Sequence, residues 1–112
     1  MVHVFHLPKD WSFDKIGHKG KIFPTEGLNK SAQFVYLEVE DGINTKLLQR
    51  ECDYSYLVLE GNGYFEMEDK REECGAGDLV IIPKGTGFTY KGKMKLMLVC
   101  VPPWYPEQEI TL

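Results

Sequence analysis

Eleven glycines and six prolines are scattered through 112 residues at short intervals, and this punctuation limits what the chain can build. Glycine weakens a helix interior and proline interrupts it outright, so no long helix fits between them. The segments that remain are short and rich in Val, Ile, Tyr, Phe and Leu, residues suited to a pleated, half-buried surface. Strands are predicted at Val2–Leu7, Gln33–Glu40, Thr45–Glu51, Tyr54–Leu59, Tyr64–Glu68, Arg71–Cys74, Leu79–Ile82, Thr86–Tyr90 and Met94–Val101. Pro8 to Lys30 reads as irregular, with at most a turn of helix at Trp11–Ile16. Turns at Asp41-Gly42, Glu60–Gly63 and Asp69-Lys70 are too short for helical crossovers, so the strands pair antiparallel in a sandwich or barrel.

The length suits a single domain, residues 1–112, with a barrel core at about 33–101, an N-terminal arm at 1–32 and a Pro/Trp tail at 102–112. The tail prolines lack amide donors, so the tail is expected to lie across the barrel surface or at a dimer contact. Thirteen Lys and Arg against seventeen Asp and Glu give a net charge of −4, which repels a phosphate backbone and argues against nucleic acid. The longest uncharged apolar run, Leu96–Pro103, is far short of the roughly 20 residues a membrane helix needs. The first residues lack the basic-then-apolar pattern of a secretory signal. Cys52, Cys74 and Cys100 are odd in number and form no CxxC pair, so reduced thiols and a cytoplasmic setting are expected.

Two glycine-framed segments resemble the paired motifs of the cupin superfamily. Gly42 and Gly61 stand at the glycines of the first motif, and Tyr56-Leu-Val-Leu-Glu-Gly-Asn-Gly63 is similar to its usual ending. Gly77-Asp-Leu-Val-Ile-Ile-Pro83-Lys-Gly85 fits the second motif without a gap. The resemblance implies an all-β jelly-roll β-barrel of two antiparallel sheets, and a homodimer, since small cupins commonly pair through their barrel sheets. Metal-binding cupins place two His, a Glu and a third His in the barrel. This chain has Leu48, Arg50, Tyr54 and Phe88 at those positions, none of them suited to a divalent ion, so no metal and no cofactor are expected there.

With that alignment, Arg50, Tyr54, Tyr56, Phe88 and Tyr90 share the inward parity, and Lys46 joins them near one strand end. An aromatic pocket with one or two cations suits a small anionic metabolite, a carboxylic acid or sugar derivative, anchored by Arg50 and oriented by Tyr54 and Tyr90. Tyr36 and Glu38 add acid–base groups if their face is the inner one. Other readings stay open. The chain is a metal-independent isomerase or epimerase using Tyr and Glu, though no inward His is visible in its sequence. It is a metalloenzyme with unorthodox ligands drawn from His18, Glu38 or a cysteine. Or it is an interaction module whose barrel Leu48 and Phe88 simply fill, with Trp11 and Trp104 capping the core or meeting a partner.

Overall fold

A computed structural model describes residues 1–112 and shows an all-β chain apart from one 3-10 turn. The strands, in chain order, are β1 (Phe13–Lys15), β2 (His18–Ile22), β3 (Gln33–Val39), β4 (Leu47–Gln49), β5 (Asp53–Met67), β6 (Lys70–Gly75), β7 (Leu79–Ile82), β8 (Gly87–Val101) and β9 (Glu109–Thr111). All pairings are antiparallel. β5 and β8 are 15 residues long and run side by side through the whole barrel. Their Asp53 and Val101 ends belong to a sheet ordered β1-β2-β3-β8-β5-β7, and their Met67 and Phe88 ends to a second sheet ordered β9-β4-β8-β5-β6. This curled pair of sheets is the expected jelly roll.

The length of these two strands corrects the sequence reading, which divided each of them at its glycines. Gly61 and Gly63 do not turn the chain; the register shifts between Val58 and Glu60, a bulge that bends β5 from one sheet into the other. At Gly61, φ is +85°, and a Cβ there would lie 2.1 Å from the Lys93 carbonyl oxygen. The glycine is needed for close passage of two strands rather than for a hairpin.

The N-terminal region differs as well. Val2–Leu7 has strand composition but no strand partner, and it is exposed coil. The segment read as irregular instead holds the β1–β2 hairpin, whose turn residues Ile16 and Gly17 have φ of +51° and +97°. Two positive φ values make a tight hairpin turn that Asn-Gly would have announced and Ile-Gly conceals. In the tail, Pro106–Gln108 forms the 3-10 turn and β9 pairs with β4. The prolines do not prevent this pairing because they precede the strand.

Alternation on β3 buries Val35, Leu37 and Val39 and leaves Phe34, Tyr36 and Glu38 on the outer face. The inward set from β3, β5 and β8 merges into a single core of eighteen buried apolar residues, and every cysteine lies in it as a free thiol. Burial, then the neighbouring Asp53 and Glu51, raises the Cys52 thiol pKa, and burial pushes Cys100 up to about 12, so neither is an activated nucleophile.

Candidate functional site at the barrel mouth

The aromatic residues read as inward from the sequence do face inward. Phe65 and Tyr90 stack with centroids 4.9 Å apart, and Tyr56 lies 5.1 Å from Phe65 and 5.5 Å from Tyr90. Tyr54 and Phe88 meet Tyr56 edge-on. This cluster plugs one end of the barrel. Toward the other end remains a cavity of about 90 Å³, room for several waters where one needs roughly 10–15 Å³. Its walls are mostly apolar, among them Val35, Leu37 and Leu98, and its polar lining comes from Lys15, His18, Gln33, Tyr54, Tyr56 and Glu109, with Trp104 at the rim.

The cations assigned to this pocket lie elsewhere. Leu47 and Gln49 are the buried residues of β4, so the strand is offset by one position from the motif alignment and all its side chains change faces. Arg50 is exposed, and its Nη2 donates to the Glu107 carbonyl at 2.5 Å. Lys46 is exposed too. Gln49, the residue the offset leaves inside, is neutral and gives up less hydration on burial than a guanidinium would. Tyr36 and Glu38 are also outside the pocket: the Tyr36 hydroxyl donates to Glu38 Oε2 at 2.7 Å on the outer face. Partial burial and that bond push the Tyr36 pKa up to about 12.

Of the three groups that give the cavity its chemistry, the sequence reading places Tyr56 in the pocket, names His18 only as an unorthodox metal ligand and misses Glu109. His18 is an inward histidine, carried by β2 opposite Val39. Its Nδ1 lies 2.8 Å from the Tyr90 hydroxyl, which is sealed in the core with no other hydrogen-bond partner. The Tyr90 proton therefore has only Nδ1 to bond, which assigns the ring proton to Nε2. Burial, reinforced by the positive charge of Lys15 and opposed by Asp14, lowers the His18 pKa to about 4 and keeps the ring neutral near pH 7.

Glu109, on β9 in the opposite sheet, is the second group. Its Oε1 accepts from Gln49 Nε2 at 2.9 Å and from Trp104 Nε1 at 3.2 Å. Gln49 is held in turn by the buried Gln108 amide, whose own oxygen accepts from the Glu51 backbone. One carboxylate oxygen is thus fixed by two donors, while the other makes no hydrogen bond to protein. Tyr56 is the third group: its hydroxyl has no protein partner, yet no buried side-chain oxygen or nitrogen is left unpaired, so it opens onto the cavity. Burial holds the Tyr54, Tyr56 and Tyr90 phenols far above their ordinary pKa, so all three stay neutral donors.

No three His, Cys, Asp or Glu side chains come together as a metal-binding group. The tyrosine and phenylalanine at two of the cupin ligand positions, with Leu48 and Arg50 turned out of the pocket, do not fit the metal of that fold. No helix is long and apolar enough to cross a membrane.

No protein-family model and no curated protein sequence matches this chain. Solved structures do. Pac13, a nucleoside dehydratase, is 24 % identical with a TM-score of 0.89 over 100 % of this chain and 92 % of its own. Streptomyces Pac13 with uridine, in a form with one His replaced by Gln, gives the same values. KdgF from Halomonas is 18 % identical at a TM-score of 0.71, covering 90 % of this chain and 94 % of its own. A sugar phosphate isomerase of the cupin superfamily from Silicibacter pomeroyi is 16 % identical at 0.64, covering 76 % and 59 %. The chain has the cupin β-barrel fold.

Proposed function

We propose that the barrel binds an uncharged, hydroxyl-rich ring compound of nucleoside type and catalyses loss of water from it by proton transfer. The observation that carries this reading is the pairing, across one largely apolar cavity, of a fixed carboxylate with a neutral imidazole N–H. An anionic ligand suits the site less well: Arg50 and Lys46 lie outside it, Lys15 is the lysine that lines it, and Glu109 repels negative charge. Apolar walls with a few convergent polar groups instead fit a ring that stacks on aromatic surface and offers hydroxyls for hydrogen bonding. The nucleoside dehydratase Pac13 and its uridine complex, at similar length and fold, support the same ligand class.

Dehydration needs a carbon acid beside a carbonyl, with the hydroxyl one carbon further on. In the proposed step Glu109 takes the proton from that carbon, and negative charge moves to the carbonyl oxygen. His18 Nε2–H and the Tyr56 hydroxyl donate to this oxygen and stabilise the developing charge. The C–O bond then breaks, the hydroxyl leaves with the proton returned by Glu109, and the products are water and a carbon–carbon double bond. Tyr90 is a positioning residue that fixes the imidazole tautomer.

Calorimetric titration and thermal shift with uridine test the binding. A saturable stabilisation is expected, weakened in Tyr56→Phe and retained in Glu109→Gln. No stabilisation by uridine, other nucleosides or free sugars overturns the ligand class. For a bound β-hydroxycarbonyl nucleoside, Glu109→Gln is expected to lower turnover by ~10²–10⁴-fold. Unchanged turnover in that variant removes Glu109 from the mechanism. Exchange of the substrate carbon hydrogen with solvent deuterium, without release of water, converts the assignment to an isomerase.

A further inference from the structure

Three glutamines face the interior of the barrel, and two of them are fully engaged. Gln49 donates through Nε2 to Glu109 at 2.9 Å and accepts from Gln108, whose own oxygen accepts from the Glu51 amide. Gln33 is the exception. Its amide has no protein partner, yet no buried side-chain nitrogen or oxygen is left unpaired, so both ends of the amide open onto the cavity that Gln33 lines. The dehydration step makes no use of it. One functional group is locked twice to build the mouth and left open in a third place.

The strand pairing shows where that place is. Gln33 begins β3 and shares the inward parity of Val35, Leu37 and Val39. Its cross-strand neighbour is Cys100 on β8, which faces Tyr54 on β5, so the three form one row across the first sheet. His18 stands opposite Val39, at the other end of the same strand. β3 is seven residues long, ~20 Å from its first Cα to its last at ~3.3 Å per residue. A lone sugar ring held at His18 stops short of the Gln33 row. A sugar carrying a second ring along β3 extends to it, past Val35 and Leu37, whose side chains suit ring faces and form no hydrogen bonds.

The chemistry of the lining singles out the same residue. Lys15 only donates, Glu109 only accepts, and the His18 ring has one nitrogen taken by Tyr90. Tyr54 and Tyr56 each offer a single oxygen. The Gln33 amide alone presents a donor and an acceptor side by side in one plane, the complement of a ring edge on which an N–H adjoins a carbonyl.

We propose that Gln33 selects the base of the nucleoside, pairing its amide with the ring N3 and the adjoining exocyclic group of a pyrimidine. The inference rests on the nucleoside reading above and adds the orientation of the ligand: sugar at His18 and Glu109, base at the Gln33 row. In uracil the N3–H donates to the Gln33 oxygen, and the carbonyl beside it accepts from Nε2. Two bonds in one plane fix the base against rotation. A ring edge without this pair leaves the amide desolvated and unmatched among largely apolar walls, and that penalty rejects the ligand.

The test is calorimetric titration of the full chain with uridine and with 3-methyluridine, whose N3 carries a methyl group in place of the hydrogen. Beside it stands Gln33→Leu, which keeps an apolar side chain at the row and removes the amide. The parent is expected to bind uridine at least ~10-fold more tightly than 3-methyluridine, and Gln33→Leu to lose that preference by weakening uridine alone. Without ligand, the variant is expected to unfold at the parent's temperature, because Gln33 bonds nothing in the protein; this separates lost recognition from a lost fold. A Gln33→Leu chain that keeps the full preference for uridine overturns the assignment while leaving nucleoside binding intact. Equal affinity of the parent for the two nucleosides overturns it whatever the variant does. Binding of neither by the parent overturns the nucleoside reading, and the assignment with it.

Discussion

The two ends of the barrel are built on the same pair of long strands and hold opposite kinds of matter. At the plugged end, Phe65, Phe88, Tyr56 and Tyr90 leave no space, and specificity there is a matter of shape. At the mouth, Glu109, Gln49, Gln108, Trp104 and His18 form hydrogen bonds around a cavity, and specificity is a matter of donors and acceptors. The ends depend on each other, because the plug buries Tyr90 and so fixes the proton of a histidine that lines the mouth. The contrast teaches that a cupin barrel without the usual imidazoles can keep a polar, hydrogen-bonded interior whose groups are oriented by its packed half.

The largest effect that tests this contrast is expected from the plug. Phe65→Ala removes a fully buried ring from between Tyr56 and Tyr90 and is expected to cost ~3–5 kcal/mol in urea unfolding. A loss under ~1 kcal/mol breaks the idea that this end is close-packed.

His18 gives a pH signature. Its folded pKa is depressed, so the unfolded chain takes up a proton at about the ordinary value of 6.5 while the fold resists it down to about 4. Stability from this group is complete above pH 6.5 and is lost as pH falls through that window, by on the order of 3 kcal/mol at most. Unfolding free energies measured from pH 7 to 4 are expected to fall more steeply in the parent than in His18→Gln; equal slopes place the imidazole in solvent.

At the rim, Gln49→Leu strands the Gln108 amide and removes one donor from Glu109, an expected cost of ~1–3 kcal/mol by the same denaturation. It is also expected to weaken uridine binding more than Phe34→Ala does on the outer face. The smallest effect is expected from Arg50→Ala, within ~0.5 kcal/mol in stability and without change in ligand titration, since the guanidinium is exposed and reaches only a main-chain carbonyl. Loss of binding in that variant would return the anion anchor to the pocket.

The fold was legible because the strand pattern, the glycines and the Gly77–Gly85 motif all act locally. β7 was read at its observed bounds, and the inward parity of Tyr54, Tyr56, Phe88 and Tyr90 follows from alternation alone. The site was less legible because it depends on placements that spacing does not express. On β4 the offset of one residue exchanged Arg50 for Gln49. On β2, Gly20 hid the alternation that would have marked His18: it has no side chain because the Phe13 ring occupies that space, 2.3 Å from where a Cβ would be. Glu109 is carried in by a strand beyond the three tail prolines, and only its pairing with β4 brings it to the mouth.

The glycine-lined crossing of β5 and β8 has one more consequence. Because each long strand is a member of both sheets, neither sheet can melt while the other stays intact without breaking a continuous ladder from Asp53–Val101 to Met67–Phe88. Amides along this shared spine are expected to exchange with deuterium only through global opening, all at one common free energy, whereas those of β1 and β9 fray independently. The barrel is a single cooperative unit hung on two strands.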